Sequence, residues 1–323
     1  MPTAVLDVYL TETDAEDALR ADARSGLTSI PKVLAPKWFY DATGSKLYEQ
    51  ITELAEYYPF RAEREILLDR AAEIAADSRA EALVELGSGS SEKTRLLLDA
   101  LGNAGTLRRY LPLDVSESAL REATESVAHD YPWLSVHGVV GDFTRHLGQI
   151  PAEGKRLFAF LGGTIGNLLP DERAIFLRVL RSTLGEGEQL LLGTGLAIDP
   201  AVMVPAYDDA SGVTAEFNRN VLRVFNRELR ADFDLDAFSH VALWNGEREW
   251  IEMRLRARRR MIVQVAELGL TIPFAEGEEM RTEVSAKFRY NGVRDELAAA
   301  GFRLDQWWTD SACRYALSLS TAV

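Results

Sequence analysis

The chain has 323 residues, 47% of them hydrophobic and 27% charged, with a formal net charge of −14. That composition suits a folded protein of one large or two modest domains with a sizeable core. No run approaches the roughly 18 apolar residues of a membrane helix, and the acidic balance argues against a nucleic-acid backbone as partner, which needs clustered cations.

The single cysteine, Cys313, excludes an intramolecular disulfide and a cysteine-based zinc site. His129, His137, His146 and His240 stand singly, without metal-ligand spacing, so no metal is expected and they read as structural or solvated. The opening stretch MPTAVLDVYLTETDAEDALR has no basic region ahead of an apolar run, so no secretory signal is expected and the cytoplasm is the expected compartment. The basic run RLRARRRM is short and interleaved with apolar residues, and reads as an ordinary solvated face.

In chain order, the first sixty residues precede the predicted sheet domain. ALVEL (82–86) is a short apolar run ending at Gly87. SEKTRLLLDAL then has helical spacing, with Leu96, Leu97 and Ala100 on one side. RRYLPLDV is a second strand with its tip at Asp114, and Ser116 is the N-cap of the following helix. LSVHGVVGDF is a third strand ending at Asp142, KRLFAFLGGTIGNL a fourth and EQLLLGTGL a fifth. The helix PDERAIFLRVLRSTLGEGE precedes the fifth, with Gly185 and Gly187 near its end. This alternation predicts a mostly parallel α/β sheet covered by helices.

After about residue 196 the rhythm changes. YDDASGVTAEFNRNVLRVFNRELRADF reads as helical. EWIEMRLRARRRMIVQV alternates, with Ile251, Met253, Leu255 and Ala257 on one side, and reads as one half-buried strand paired with LGLTIPF. A helix over KFRYNGVRDELAAAGF and two final strands, RLDQWWTD and RYALSLSTA, complete the chain. The predicted division is a lobe made of 1–60 and 197–285, lying over the cofactor site, and a sheet domain made of 61–196 and 286–323.

The loop VELGSGSSEKT, between the first strand and its helix, has the look of a cofactor loop. A triphosphate loop needs glycine directly before the lysine. Here Glu92 precedes Lys93, and its charge would repel a triphosphate. The dinucleotide fingerprint needs a third glycine, again where Glu92 stands. S-adenosylmethionine has no phosphates. It needs a close backbone approach, which Gly87 and Gly89 permit, and acids at the next strand tips for its ribose and adenine. Asp114 and Asp142 stand there, with Phe143 beside the ring position. NAD stays open, because an acid on strand two also suits its ribose.

Beyond the loop, the stretches APKWFYDATGS (35–45), EYYPFRAE (56–63), VELGSGSSEKTR, FLGGTIGNL, AYDDASGVTAEFNRN and EGEEMRTEVSAKF span nearly the whole chain. In these the sequence closely resembles the actinobacterial histidine-specific Nα-methyltransferases of ergothioneine biosynthesis. The resemblance implies a Rossmann-like class I S-adenosylmethionine methyltransferase sheet with a second, α+β substrate-binding lobe. It implies three methyl transfers to the α-amine of L-histidine, giving hercynine and S-adenosylhomocysteine. L-Histidine is then the small-molecule partner, with neither nucleic acid nor membrane, and a monomer is expected.

Carried over, the resemblance places the methyl donor on Tyr40, Gly87, Lys93, Asp114, Asp142 and Phe143. It places the histidine carboxylate on Asn167 and Tyr207, and the imidazole near Tyr57, Met253, Glu283 and Ser285. Tyr48, Gly162, Thr164 and Thr214 line the same pocket in this reading. The sequence departs from the family pattern at Gly195 and Ile198, where an acid and a lysine are expected, and at Tyr48, where phenylalanine is expected.

Each residue also has a plainer explanation. Glu283 reads equally as one more surface acid, Asn167 as a helix cap, Met253 as packing, and Tyr57, Tyr58 and Trp38 as core aromatics. Tyr40 is the candidate for orienting the amine or relaying its proton. Relatives acting on tryptophan, a tryptophan derivative or tyrosine, and a catalytically silent S-adenosylmethionine-binding module, are the alternative functions.

Overall fold

The computed structural model describes residues 4–89 and 91–323; Met1–Thr3 and Ser90 of the glycine-rich loop lie outside the described residues. The chain divides into two compact units. The first comprises the described part of Met1–Leu10 with Pro59–Ala197 and Lys287–Val323, and the second Thr11–Tyr58 with Ile198–Ala286.

In chain order the first unit contributes β1 (Val5–Val8), β2 (Ala82–Leu86), β3 (Arg109–Asp114), β4 (Ser135–Val140), β5 (Arg156–Phe160) and β6 (Gln189–Gly195). The second contributes β7 (Phe238–Asn245), β8 (Trp250–Ala257), β9 (Met261–Val265), β10 (Leu270–Phe274) and β11 (Glu279–Ala286). The chain then returns to the first unit for β12 (Phe302–Thr309) and β13 (Tyr315–Ala322).

The first unit is built on an eight-stranded sheet in the order β1-β4-β3-β2-β5-β6-β13-β12. The pairs from β1 to β6 are parallel. β13 is inserted antiparallel between β6 and β12. β2, β5 and β6 are buried along their whole length, as expected of central parallel strands covered on both faces. Leu83, Tyr110, Leu157, Leu191 and Leu317 of the sheet pack in one core with Ile66, Leu67 and Ile74 of the helix Tyr58–Ser78 and with Leu97, Leu98 and Leu101 of the helix Thr94–Asn103.

The strand order reverses at β2, whose neighbours are β3 and β5. Ligands of doubly wound sheets bind at the carboxyl ends of the strands at such a reversal. This is the Rossmann-like class I α/β architecture expected from the sequence, with one difference at the N-terminus. Val5–Val8 does not merely precede the sheet but pairs in parallel with β4, Val5 opposite His137 and Val8 opposite Val140.

In the second unit β11, β8 and β7 form an antiparallel sheet, and β9 and β10 a separate two-stranded one. The single strand read over 250–265 is therefore two. The exposed Arg258, Arg259 and Arg260 end the alternation after Ala257, because three adjacent cations cannot alternate into a core. β10 pairs with β9, while β8 lies between β7 and β11. The helical stretch predicted from Tyr207 begins in earnest at Val213 and runs to Glu228, after Gly212 takes a left-handed turn at φ 77°.

Candidate functional site

In the first unit the site residues gather at the carboxyl ends of β2, β3, β4 and β5. Gly87 and Gly89 follow β2 with φ of 70° and 50°, a region L side chains rarely adopt. Among the described residues nothing stands within 4 Å of a Cβ built at either, so the backbone faces open space where a ligand can lie against it.

Asp114, at the tip of β3, accepts from the Gly89 amide through Oδ2 and from the Ser116 amide through Oδ1, each at 3.0 Å. Burial raises its pKa, and the amides of Ser116, Gly89 and Val115 pull it back. Ser116 itself caps the next helix, accepting from Ala119 at 3.4 Å. Asp114 thus ties the glycine loop to β3 while its carboxylate keeps further lone pairs for a ligand hydroxyl. The Ser88 hydroxyl is buried in this loop without a hydrogen-bond partner among the described residues. An orphaned buried hydroxyl in a glycine cradle suits a polar ligand such as S-adenosylmethionine.

Asp142 lies just beyond β4, and its Oδ1 accepts from the Thr144 amide at 2.8 Å and hydroxyl at 2.6 Å. Phe143 packs edge-on against Phe160, 5.1 Å between centroids, and Phe176, 5.5 Å, which fixes its ring. Lys93 pairs with the buried Glu63 and lies over the Phe60 ring, 4.9 Å from its centroid. Beneath the loop, the buried Glu85 accepts from the hydroxyls of Thr94 and Tyr110. Burial lifts its pKa to about 7 against the effect of those hydrogen bonds.

Asn167 closes the 3-10 turn Thr164–Asn167 that follows β5 and the left-handed Gly162 and Gly163. The cap of the next helix is Leu169, whose amide is satisfied by Glu172 at 2.8 Å, so Asn167 is not the helix cap. At Gly195, the end of β6, an added Cβ would stand 3.5 Å from the buried Lys287, in ordinary contact.

In the second unit the remaining candidates converge. Met253 on β8 is paired with Glu283 on β11, and Ile251 with Ser285. Directly paired residues project to one face, so Met253, Glu283 and Ser285 share a face, and all are buried. Glu283 is therefore no surface acid. The Tyr207 hydroxyl is 2.8 Å from Ser285 Oγ.

An aromatic row extends outward from this point. Tyr207 to Tyr57 is 6.5 Å between centroids, Tyr57 to Tyr48 is 6.3 Å and Tyr48 to Tyr40 is 5.7 Å, each edge-on. Burial raises the Tyr57 pKa, with Tyr48 and Tyr207 adding to it, and burial followed by the Glu283 charge raises that of Tyr207. Both phenols stay protonated and act as hydrogen-bond donors or acceptors.

The motif around Tyr40 is explained by its neighbours. Asn220 donates to the Phe39 carbonyl at 3.0 Å and to Asp41 Oδ1 at 2.7 Å, gripping the chain on both sides of Tyr40. Asp41 also caps the helix Ala42–Glu53 through the amides of Thr43 and Gly44. A Cβ at Gly44 would collide with the Phe39 carbonyl. Thr214 stands at the head of the helix Val213–Glu228, its amide 2.7 Å from Asp209 Oδ1.

His240 has a role the sequence did not reveal. Its Nε2 is 2.7 Å from the Tyr207 carbonyl and its Nδ1 2.8 Å from Asn218 Nδ2. A carbonyl only accepts, so Nε2 carries the hydrogen and Nδ1 accepts from the amide. Burial lowers the His240 pKa and keeps the ring neutral. A histidine within the apolar run of FSHVALW was the available signal. Asn218 in turn accepts from Thr282, the residue before Glu283, at 2.7 Å.

Among the described residues no group of three or more His, Cys, Asp or Glu is placed to hold a metal ion. Among them, too, no helix is long and apolar enough to cross a membrane.

Comparison with known proteins identifies the family. The sequence profile of a family described as histidine-specific, SAM-dependent methyltransferases matches residues 19–322. The chain is 58% identical to the histidine N-alpha-methyltransferase of Mycolicibacterium smegmatis over 98% of its own length and 99% of that protein. It is 56% identical to the enzyme of the same name from Mycobacterium tuberculosis, over 97% of each chain. It is also 35% identical to the ergothioneine biosynthesis protein 1 of Neurospora crassa, over 65% of this chain and 25% of that much longer one. With a glycine cradle at the reversal of a Rossmann-like sheet and near-complete overlap with the two mycobacterial relatives, the chain belongs to the histidine-specific, S-adenosylmethionine-dependent methyltransferase family.

Proposed function

We propose that this protein transfers three methyl groups from S-adenosylmethionine to the α-amine of L-histidine, yielding hercynine and S-adenosylhomocysteine as the first step of ergothioneine biosynthesis in the cytoplasm. The observation that carries the reading is the shared buried face of Met253, Glu283 and Ser285 with the Tyr207 hydroxyl on Ser285. A carboxylate and a hydroxyl two residues apart on one strand suit the two ring nitrogens of an imidazole, one as acceptor and one as donor or acceptor. An indole offers a single N–H and would engage this polar pair at fewer points than an imidazole does.

The residues of the first unit divide the donor among them. Gly87 and Gly89 admit its backbone-close portion, Asp114 accepts from the ribose hydroxyls, Asp142 and Phe143 receive the adenine, and Lys93 serves the amino-acid end. Asn167, in the same unit, is assigned to the substrate carboxylate. In the second unit Tyr207 is assigned to that carboxylate, Tyr57, Met253, Glu283 and Ser285 to the imidazole, and Tyr40 to the amine and to the donor.

When bound, the donor would supply a sulfonium-bound methyl carbon, which the amine attacks in line as the thioether of S-adenosylhomocysteine leaves. The protein's part is to position the amine and exclude water. The amine must be neutral. An α-amine has a reference pKa of about 8 in peptides, and a dry, cation-bearing site lowers it further, so no strong base is needed and a tyrosine relay suffices. Dimethylhistidine has no N–H to donate at the last transfer. The row of Tyr40, Tyr48 and Tyr57 offers ring faces, whose negative quadrupole receives a quaternary ammonium that has no hydrogen to donate.

The test is mass spectrometry of an amino-acid mixture incubated with the enzyme and S-adenosylmethionine. A trimethylated product from histidine alone is expected. Methylated tryptophan or tyrosine, or no methylated product, would overturn the reading.

A further inference from the structure

We infer that Glu63 is a positioning residue that couples the methyl-donor contact of Lys93 to the substrate-carboxylate contact of Asn167. The inference rests on the function proposed above and extends it to a residue to which no role has yet been given.

Glu63 lies on the helix Tyr58–Ser78 and is fully buried, at 0% exposure. A bare carboxylate so placed is strongly disfavoured unless paired and hydrogen-bonded. Here it meets donors from three separate parts of the sheet's carboxyl edge. The Gly162 amide, just after β5, reaches Oε1 at 2.9 Å and Oε2 at 3.0 Å. The Tyr315 hydroxyl, on β13, donates to Oε1 at 2.9 Å. The Lys93 ammonium, at the end of the glycine-rich loop, pairs with Oε2. The neighbouring strand makes room for this carboxylate, because a Cβ at Gly193 of β6 would collide with Glu63 Oε1 and the Tyr315 hydroxyl.

Two consequences follow from these contacts. First, the Lys93 ammonium is confined between Glu63 and the Phe60 ring, so a flexible four-carbon stem is held in one place before any ligand arrives. Second, Gly162 opens the left-handed Gly162–Gly163 turn that leads directly into Thr164–Asn167. Anchoring its amide sets where Asn167 stands. One buried carboxylate therefore fixes both the donor-side cation and the substrate-side amide. A purely structural ion pair would serve neither.

Glu63→Gln keeps the volume and removes the charge. Calorimetry with S-adenosylmethionine should show at least tenfold weaker binding for the variant. At saturating donor its KM for histidine should also rise severalfold, with circular dichroism of the folded protein unchanged. Tyr315→Phe removes one donor and leaves the ion pair, and should move both quantities in the same direction by less. It stands in if Glu63→Gln does not fold.

Folded variants that lose thermal stability while keeping wild-type donor affinity and histidine KM would reduce Glu63 to a structural role and overturn the inference. A change in only one of the two quantities would overturn the coupling, and tighter donor binding would make Glu63 a competitor of the ligand. If the wild-type protein bound no S-adenosylmethionine, the proposed function would fall first and this inference with it.

Discussion

The two units build their parts of the chemistry by opposite means. In the first, the candidate residues stand at strand ends and in turns, and much of the work falls to the backbone: left-handed glycines at 87 and 89, a strand-tip acid bound to main-chain amides, a turn anchored through the Gly162 amide. In the second, they lie on the face of an antiparallel sheet and in a row of tyrosines, and side-chain identity does the work. In the proposed function the backbone cradle at the strand reversal takes the donor and is indifferent to what is methylated. In the same proposal the buried carboxylate beside a hydroxyl is what selects the substrate's ring. The contrast teaches that donor binding should respond to loop and charge, and substrate choice to single polar atoms.

The largest expected effect probes how far the first unit's loop depends on the charge beneath it. The Glu85 pKa of about 7 lies above its ordinary value of 4.5, so the fold favours the protonated form. Stability should therefore fall as pH rises from about 4.5 to 7 and stay reduced above it. The pKa difference corresponds to a loss on the order of 3 kcal/mol. Glu85→Gln should flatten that decline, and denaturant unfolding at pH 5 and pH 8 measures it. An unchanged slope would mean that Glu85 is not the group responsible.

Next, Asp114→Ala should weaken S-adenosylmethionine binding by about 100-fold, the scale of losing hydrogen bonds to a charged group. Calorimetry reads this directly, and wild-type affinity would remove Asp114 from the donor site.

Glu283→Gln tests the other side of the contrast. It should raise the histidine KM about tenfold, again from the loss of a charge-assisted hydrogen bond, and narrow the preference over aromatic amino acids while donor affinity holds. A variant that loses donor binding and keeps its selectivity would break the division drawn between the units.

The smallest effect is expected at Tyr48→Phe. It keeps the edge-on ring contacts with Tyr40 and Tyr57 and removes one hydroxyl, a change of about 1 kcal/mol. Product analysis should still find the trimethylated species, and accumulation of the dimethylated one would give the hydroxyl a larger role.

The first unit was largely legible in the sequence. Short apolar runs ending at Gly87, Asp114 and Asp142 alternate with helices, and buried parallel strands need just such continuous apolar runs. The exception was β1, whose VLDV is too short and too exposed to announce itself as an edge strand. The second unit was less legible: its long helix and the strands at 250–257 and 270–274 showed in the periodicity, but the pairing did not. β11 reads EMRTEVSA, and its charges look like a loop, yet pairing with β8 makes it a strand in which Glu283 is buried. The run from 250 to 265 looked like one strand because alternation continues in phase on either side of the arginines, and register is a property of pairs, not of single segments.

The amino-acid sequence by itself determined the alternating elements, the order of the acids after the glycine loop and the set of residues to suspect, since these depend on periodicity and local turn chemistry. Only the tertiary structure decided that Glu283 is buried opposite Met253, that His240 holds the backbone of Tyr207, and that Glu63 joins Lys93 to Gly162. Those contacts join residues far apart in the chain. Nothing in local propensity distinguishes a buried, paired glutamate from a solvated one; strand pairing and packing set its partners.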